Sequence, residues 1–257
     1  MTKGIALQGT INIRREPAHT AEMVSQLLFG ETCQIHDSRD QWWLVSLDFD
    51  GTEGWLMKSC LSITQPGMEP ENSNEGPFRM VSQPIVMATD QHGDQLLLPA
   101  GSIWPGEKGN RISLLGKVIN LKTEDGLIAP SPNVDPGKVG KGLISIPHLW
   151  GGRSGFGFDA PGLVQMLGRM MGLSLPRTCL ALSEAGTAVN FIHEIKKGDL
   201  AFFDNPAGEI VHVGMALGNG RILHASGQVR IDRLDQHGIF NAEKDDYTHK
   251  LRVVKRL

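Results

Sequence analysis

Residues 146–173 read IPHLWGGRSGFGFDAPGLVQMLGRMMGL: a glycine-rich turn, one acidic residue, then an apolar run. Leu163, Val164, Leu167, Met170 and Met171 recur at helical spacing, so the stretch predicts a helix that opens near Asp159. Asp159 suits the N-cap, and Pro161 falls in the first turn, where a missing N–H costs little. The unpaired N–H groups and positive dipole end of such a helix start lower the pKa of a thiol placed there. The segment is laid out like an active site, yet the residue in that place is Ala160, and a methyl group cannot attack a carbonyl.

The rest of the chain gives the context. Its 257 residues are 40% hydrophobic and 21% charged, enough for two or three ordinary cores. A formal net charge of -3 gives no electrostatic drive toward nucleic acid or an anionic membrane. The opening MTKGIALQGTINIRRE lacks the apolar run of a signal peptide, and nothing later is apolar enough for a spanning helix. Cys33, Cys60 and Cys179 are scattered and odd in number, which argues against a disulfide framework. The expectation is therefore a cytoplasmic chain, although a secreted form trimmed of its leader would read the same way. The reading assigns no metal and no cofactor.

Three parts can be separated. Residues 4–63 alternate in strand fashion, with runs at Ile11–Ile13, Met23–Phe29, Cys33–Ile35, Trp42–Leu47 and Gly54–Leu56 and a turn at Asp50-Gly51. They predict a small antiparallel barrel over residues 1–64, with Trp42, Trp43 and Trp55 packed in or against it. Residues 65–77 are rich in Pro, Gly and Asn and read as a linker. Short β-like runs with turns at His92–Asp94, Pro105-Gly106 and Glu124–Gly126 predict a second small barrel over residues 78–132, closed by a break at 131–137. Residues 133–257 change character. Besides the helix after Asp159, a second is expected over Ala181–Val189, followed by strands at Leu200–Asp204, Ile210–Leu217, Arg221–Ala225, Gln228–Leu234 and Leu251–Val254. Helices first and a strand meander afterwards is an α+β layout.

The hairpin IVHVGMALGNGRILHASG (residues 210–227) carries two histidines. Gly218-Asn219-Gly220 is a tight-turn signal. A turn centred on Asn219 puts His212 opposite Ser226 and His224 opposite Gly214, so both histidines leave one face as diagonal neighbours. Two imidazoles so placed suit a base and the group that fixes its tautomer, or are simply two unrelated polar residues.

On the stretches LWGGRSGFGFDAPGLVQMLGRMMGLSLPR, KKGDLAFFDN and VHVGMALGNGRILHASGQVRIDRLD, with INIRREPAHTAEMVSQLLFGE and GTEGWL nearer the N-terminus, the chain resembles the NlpC-type papain-like cysteine peptidases. It resembles in particular those with N-terminal bacterial SH3-like barrels that cut γ-D-glutamyl–diamino acid bonds of cell-wall peptides. The resemblance implies two SH3-like barrels ahead of a papain-like α+β domain, with the barrels shaping the cleft. It implies His212 as the general base and His224 as the orienting third residue. The family's Asp-Cys-Ser-Gly is here Asp159-Ala160-Pro161-Gly162, so the nucleophile position holds Ala160 and the substrate-holding serine is Pro161. The tyrosine near the oxyanion is His148, the Asp and small residue after Leu-Pro-Arg are Thr178 and Cys179, and the tyrosine before Glu-Gly-Trp is Thr52. Glu22 matches the acid that pairs with the substrate's free amino end, and Arg153 and Asp159 are kept.

Five replacements around one cleft imply a catalytically inactive homologue that binds a peptide, a muropeptide fragment or a protein partner. Two alternatives stand beside it. One is a working cell-wall peptidase, either with its nucleophile relocated to Cys179 or carrying an engineered inactivation. The other is a scaffold whose SH3-like barrels bind the partner.

Overall fold

The computed structural model describes residues 2–64 and 77–257; the expected linker, all but Pro77, lies outside them. The protein is mostly β-sheet with few helices. Seven antiparallel strands fill residues 2–64: Thr2–Ile5, Thr10–Arg14, Met23–Leu28, Thr32–Arg39, Trp42–Leu47, Glu53–Met57 and Ser62–Thr64. Alternation drives them. In Thr10–Arg14 the side chains of Ile11 and Ile13 are buried and that of Asn12 is exposed, and they join Leu27, Cys33, Val45, Leu47 and Leu56 in one core. Trp42 is buried, whereas Trp43 and Trp55 are half-buried beneath Lys58 and Arg39, which lie 6.0 and 5.4 Å from their ring centroids.

Residues 78–128 form a four-stranded and a three-stranded antiparallel sheet around Val81, Leu98, Trp104 and Ile119. This core is completed by Ile5 and Phe29 of the preceding unit. The amide of Ile103 also donates to the carbonyl of Phe29 at 2.8 Å.

The last part begins with helix α1 (Pro136–Leu143), inside and beyond the expected break. Its proline and three glycines disguise it in the sequence. Tertiary packing decides the outcome: a Cβ on Gly140 would sit 2.3 Å from Leu223, so the glycine lets the helix backbone lie directly on the sheet. Helix α2 (Ala160–Met170) starts where expected, capped by Asp159. The second expected helix is shorter and earlier: α3 spans Cys179–Glu184 and Thr178 caps it. Gly186, at φ +71°, ends that region, and Thr187–Val189 is a strand paired with Val254–Arg256.

The sheet behind these helices runs in the order Thr187–Val189, Asp246–Arg256, Leu200–Asp204, Ile210–Gly218, Arg221–Ser226, Gln228–Asp235 and Gly238–Asn241. The last strand pairs back onto Asp246–Arg256, closing six strands into a barrel. The outer face, with Phe202, Val213, Met215 and Leu223, packs with Leu163, Val164 and Leu167 of α2. Met80, Ala100 and Ile103 of the middle unit enter the same core.

A buried charge cluster joins the first unit to the last. The Glu31 carboxylate accepts from Arg153 Nη2 at 2.6 and 2.7 Å, from Arg169 Nη1, and from the Leu28 amide at 2.8 Å. Phe49 lies over the pair, its ring centroid 3.9 Å from the Arg169 guanidinium carbon. Burial acts to lower the Arg169 pKa, and the Glu31 charge opposes it.

Candidate active site

The turn closes with Gly218 facing Arg221, one residue off a centre at Asn219, and an irregularity between Ala216 and Gly218 restores the expected register; φ is +52° at Asn219, with left-handed glycines on both sides. Met215 faces Leu223 and Ala216 faces Ile222, the register that sets His224 against Gly214. A Cβ at Gly214 would lie 3.0 Å from the Cβ of His224, so the glycine makes room for the imidazole. His212 Nε2 and His224 Nδ1 are 3.0 Å apart, and His224 Nε2 is 3.0 Å from Asp232 Oδ2. Burial pushes the Asp232 carboxyl up, but hydrogen bonds from His224 and Arg230 outweigh this and hold it at about 2. An ionised carboxylate only accepts, so His224 carries its proton on Nε2 and receives the Nε2–H of His212 at Nδ1. The Nδ1 lone pair of His212 is thereby left free of a proton. Burial, and then the neighbouring imidazoles of His249, His224 and His148, depress the pKa of His212 well below 6.5.

Sequence reasoning missed Asp232 and His249. Asp232 was within reach: the Gly227 turn pairs His224 with Arg230, which places Asp232 two residues along on the same face. His249 was not, because its strand comes alongside by pairing with Leu200–Asp204, far back in the chain. Its ring stacks on His212 at 4.1 Å and meets His224 edge-on at 5.6 Å. Ligand nitrogens of His212, His224 and His249 all lie within 4.8 Å of one another.

A cavity of about 570 Å³ opens between the first and last units. Ala160, Pro161 and His212 line it together with Glu22, His148, Asp159, Thr178 and Cys179, so eight of the expected residues meet in one place. The start of α2 is tied down by Asp159, which accepts from Gly162 at 2.7 Å, from Gly151 at 2.9 Å and from both Arg177 Nη atoms at 2.6 and 3.0 Å. Glu22 accepts from Arg15 at 2.6 Å and from the indole of Trp150 at 2.8 Å, and these bonds lower its pKa. Trp150, Leu180 and Val211 leave large apolar surfaces exposed on the cavity wall.

Cys179 lines the same space, but burial and the Asp159 charge push its thiol up to about 12, with Arg177 offsetting only part. A thiol at that value is protonated at neutral pH and weakly nucleophilic. His224 lies behind His212, outside the cavity lining. Two further expected residues are also elsewhere. Arg153 is 2% exposed, with its Nε on the Gln26 carbonyl and its Nη2 on Glu31, so its guanidinium is consumed by the interdomain cluster. Thr52 stays within the first unit, its amide on Asp50 and its carbonyl receiving Leu47.

Comparison with known proteins agrees with this architecture. Residues 145–245 match the NlpC/P60 family, and residues 13–61 match the bacterial dipeptidyl-peptidase Sh3 domain. The gamma-D-glutamyl-L-lysine dipeptidyl-peptidase of Bacillus cereus is 28% identical over 229 residues, covering 79% of this chain and 67% of the relative. Its Bacillus subtilis counterpart is 28% identical over 218 residues, covering 78% and 71%. Dipeptidyl-peptidase 6 of Lysinibacillus sphaericus is 26% identical over 259 residues, covering 90% and 92%. The crystal structure of an NlpC/P60 family protein from Bacillus cereus superposes with a TM-score of 0.83 over 99% of both chains at 20% identity, a likeness of fold. The chain thus carries an NlpC/P60 domain over residues 145–245, behind a bacterial SH3 domain over residues 13–61.

Proposed function

We propose that this protein is a non-hydrolysing member of its family that binds a cell-wall-type peptide, of the γ-D-glutamyl–diamino acid class, in the cavity between its first and last units. The observation that carries the reading is the methyl group of Ala160 at the start of α2, on the wall of the same cavity as the proton-accepting His212. The base and its orienting partners are assembled, and there is no nucleophile for them to serve. Triad-type sites that lack the nucleophile retain roughly 10³–10⁴-fold over water, negligible against the slowness of amide hydrolysis. The elevated thiol of Cys179 counts against a relocated nucleophile.

The ligand class follows from the names of the relatives and from the cavity itself. Glu22 supports a peptide amino terminus, and the exposed Trp150, Leu180 and Val211 support its apolar portion. In this reading residues 1–64 and 78–132 are both SH3-like barrels, residues 133–257 are the papain-like α+β domain, and the barrels wall the cleft. Calorimetric titration with L-Ala-γ-D-Glu-L-Lys, alongside chromatography of the same mixture, tests it. Heat of binding with intact peptide is expected. Absence of heat at millimolar peptide removes the ligand assignment, and efficient cleavage removes the inactivity.

A further inference from the structure

We propose that His212, His224 and His249 form a binding site for a divalent transition-metal ion of the zinc(II) type, behind the cleft wall that His212 contributes to. The inference is independent of which peptide the cavity takes.

The donors come from three strands of the closed barrel: Ile210–Gly218, Arg221–Ser226 and Asp246–Arg256. Tetrahedral zinc with Zn–N bonds near 2.0–2.1 Å sets its nitrogen ligands about 3.3 Å apart. His212 Nε2 and His224 Nδ1 already stand 3.0 Å apart, and the third ligand nitrogen is within 4.8 Å of both. Binding needs the rings of His212 and His224 to tilt until their facing nitrogens aim at one ion, and His249 to turn out of its stack on His212. His249 is only partly buried, so the movement displaces no packed core.

The surroundings of the rings are those of a metal site. Histidine ligands characteristically give their second nitrogen to a carboxylate or another oxygen, which fixes the tautomer and aims the lone pair. Here Asp232 holds His224 Nε2 at 3.0 Å, leaving Nδ1, and Thr248 Oγ1 lies 2.9 Å from His249 Nδ1, leaving Nε2. On binding, His212 gives up the hydrogen bond from Nε2 and carries its proton on Nδ1, so all three ligands stay neutral and no proton is released from the set. Three imidazoles match Zn²⁺, Cu²⁺ and Ni²⁺ rather than Mg²⁺ or Ca²⁺. Phe203, with its ring 5.8 Å from His212 and 5.9 Å from His249, gives the cluster an apolar neighbour.

The test uses the full chain freed of metal by chelation, titrated with Zn²⁺ in a calorimeter and with Co²⁺ by absorption spectroscopy. One equivalent of Zn²⁺ and the intense visible absorption of tetrahedral Co²⁺ are expected. His249→Ala should weaken zinc binding at least tenfold, and Asp232→Asn by about 10–100-fold through loss of the orienting carboxylate. His193→Ala, an exposed histidine stacked on Phe191 away from the cluster, should change nothing. His249→Gln, which keeps a polar side chain, replaces His249→Ala if circular dichroism shows that the alanine variant is misfolded. The proposal is overturned by no saturable uptake, by Co²⁺ with only weak octahedral-type absorption, or by uptake that survives both His249 changes undiminished.

Discussion

Glu31→Gln probes how the two ends of the chain are joined. The substitution keeps the shape of the side chain and removes its charge, leaving the guanidiniums of Arg153 and Arg169 facing an amide. All three side chains are nearly inaccessible, at 1%, 2% and 8%. Breaking a buried ion pair by removing one partner costs about 3–5 kcal/mol, because the remaining charge keeps its desolvation penalty. Arg153 retains its bond to the Gln26 carbonyl and Arg169 its place on the Phe49 ring, which argues for the lower half of that range. For a chain of this size the loss corresponds to a melting point lower by about 6–16 °C. The exposed pair Lys197–Asp135, at 49% and 46%, is the internal control: Lys197→Ala should cost less than about 1 kcal/mol. Chemical denaturation followed by tryptophan fluorescence measures both. A Glu31→Gln variant within about 1 kcal/mol of the parent, comparable to an exposed pair, would refute the account of the cluster as a structural joint.

Three other outcomes are expected. Ala160→Cys places a thiol at the start of α2, on the cavity that His212 also lines, so it should react with iodoacetamide faster than Cys179; it should still cleave γ-D-glutamyl peptides poorly, since Pro161 offers no backbone N–H beside the new thiol and His148 no phenol hydroxyl. Turnover typical of a working peptidase in that variant would overturn the reading of a decayed site and make an engineered inactivation of a working peptidase the better account. Gly155→Ala should cost more than the roughly 1–3 kcal/mol of ordinary overpacking, because its Cβ would sit 1.8 Å from the rigid Pro84 carbonyl oxygen; an unchanged denaturation midpoint would show that the packing of the middle unit on the Arg153–Phe158 hairpin yields easily. In chelator-treated protein, stability should be full above about pH 7 and fall as the pH drops from 6.5 towards 4. Burial holds His249 at about 4 and His212 lower than its usual value, so only the unfolded chain takes up those protons in that window. His249→Gln should flatten the slope, and an unchanged slope would place its origin elsewhere.

Local signals in the sequence were sufficient wherever the structure is decided locally. The glycine-flanked turn at Asn219 located the hairpin, though the register of its histidines also needs the irregularity between Ala216 and Gly218, and Asp159 marked the helix start, since each depends on a few neighbouring residues. What escaped depends on distant partners. Helix α1 exists because Gly140 fits against Leu223, and Thr187–Val189 is a strand because it pairs with Val254–Arg256. Arg153 could be matched to a motif, but its partner Glu31 is 122 residues away in sequence. No pattern in a single sequence reveals that its charge is already spent. His249 entered the cluster by the same route, on a strand that pairs with Leu200–Asp204 far back in the chain.

The joint at Glu31 also bears on how the cleft meets a ligand. Its walls belong to units already fastened by a buried ion cluster and by cores that share Ile5, Phe29, Met80 and Ile103. A two-jawed binder must freeze the relative motion of its jaws when it closes, and that ordering is subtracted from its affinity. Here the ordering was completed when the chain folded. Complex formation should therefore leave the radius of gyration unchanged, and the entropy lost should be chiefly that of the incoming peptide and of the few exposed side chains, such as Trp150, that settle upon it.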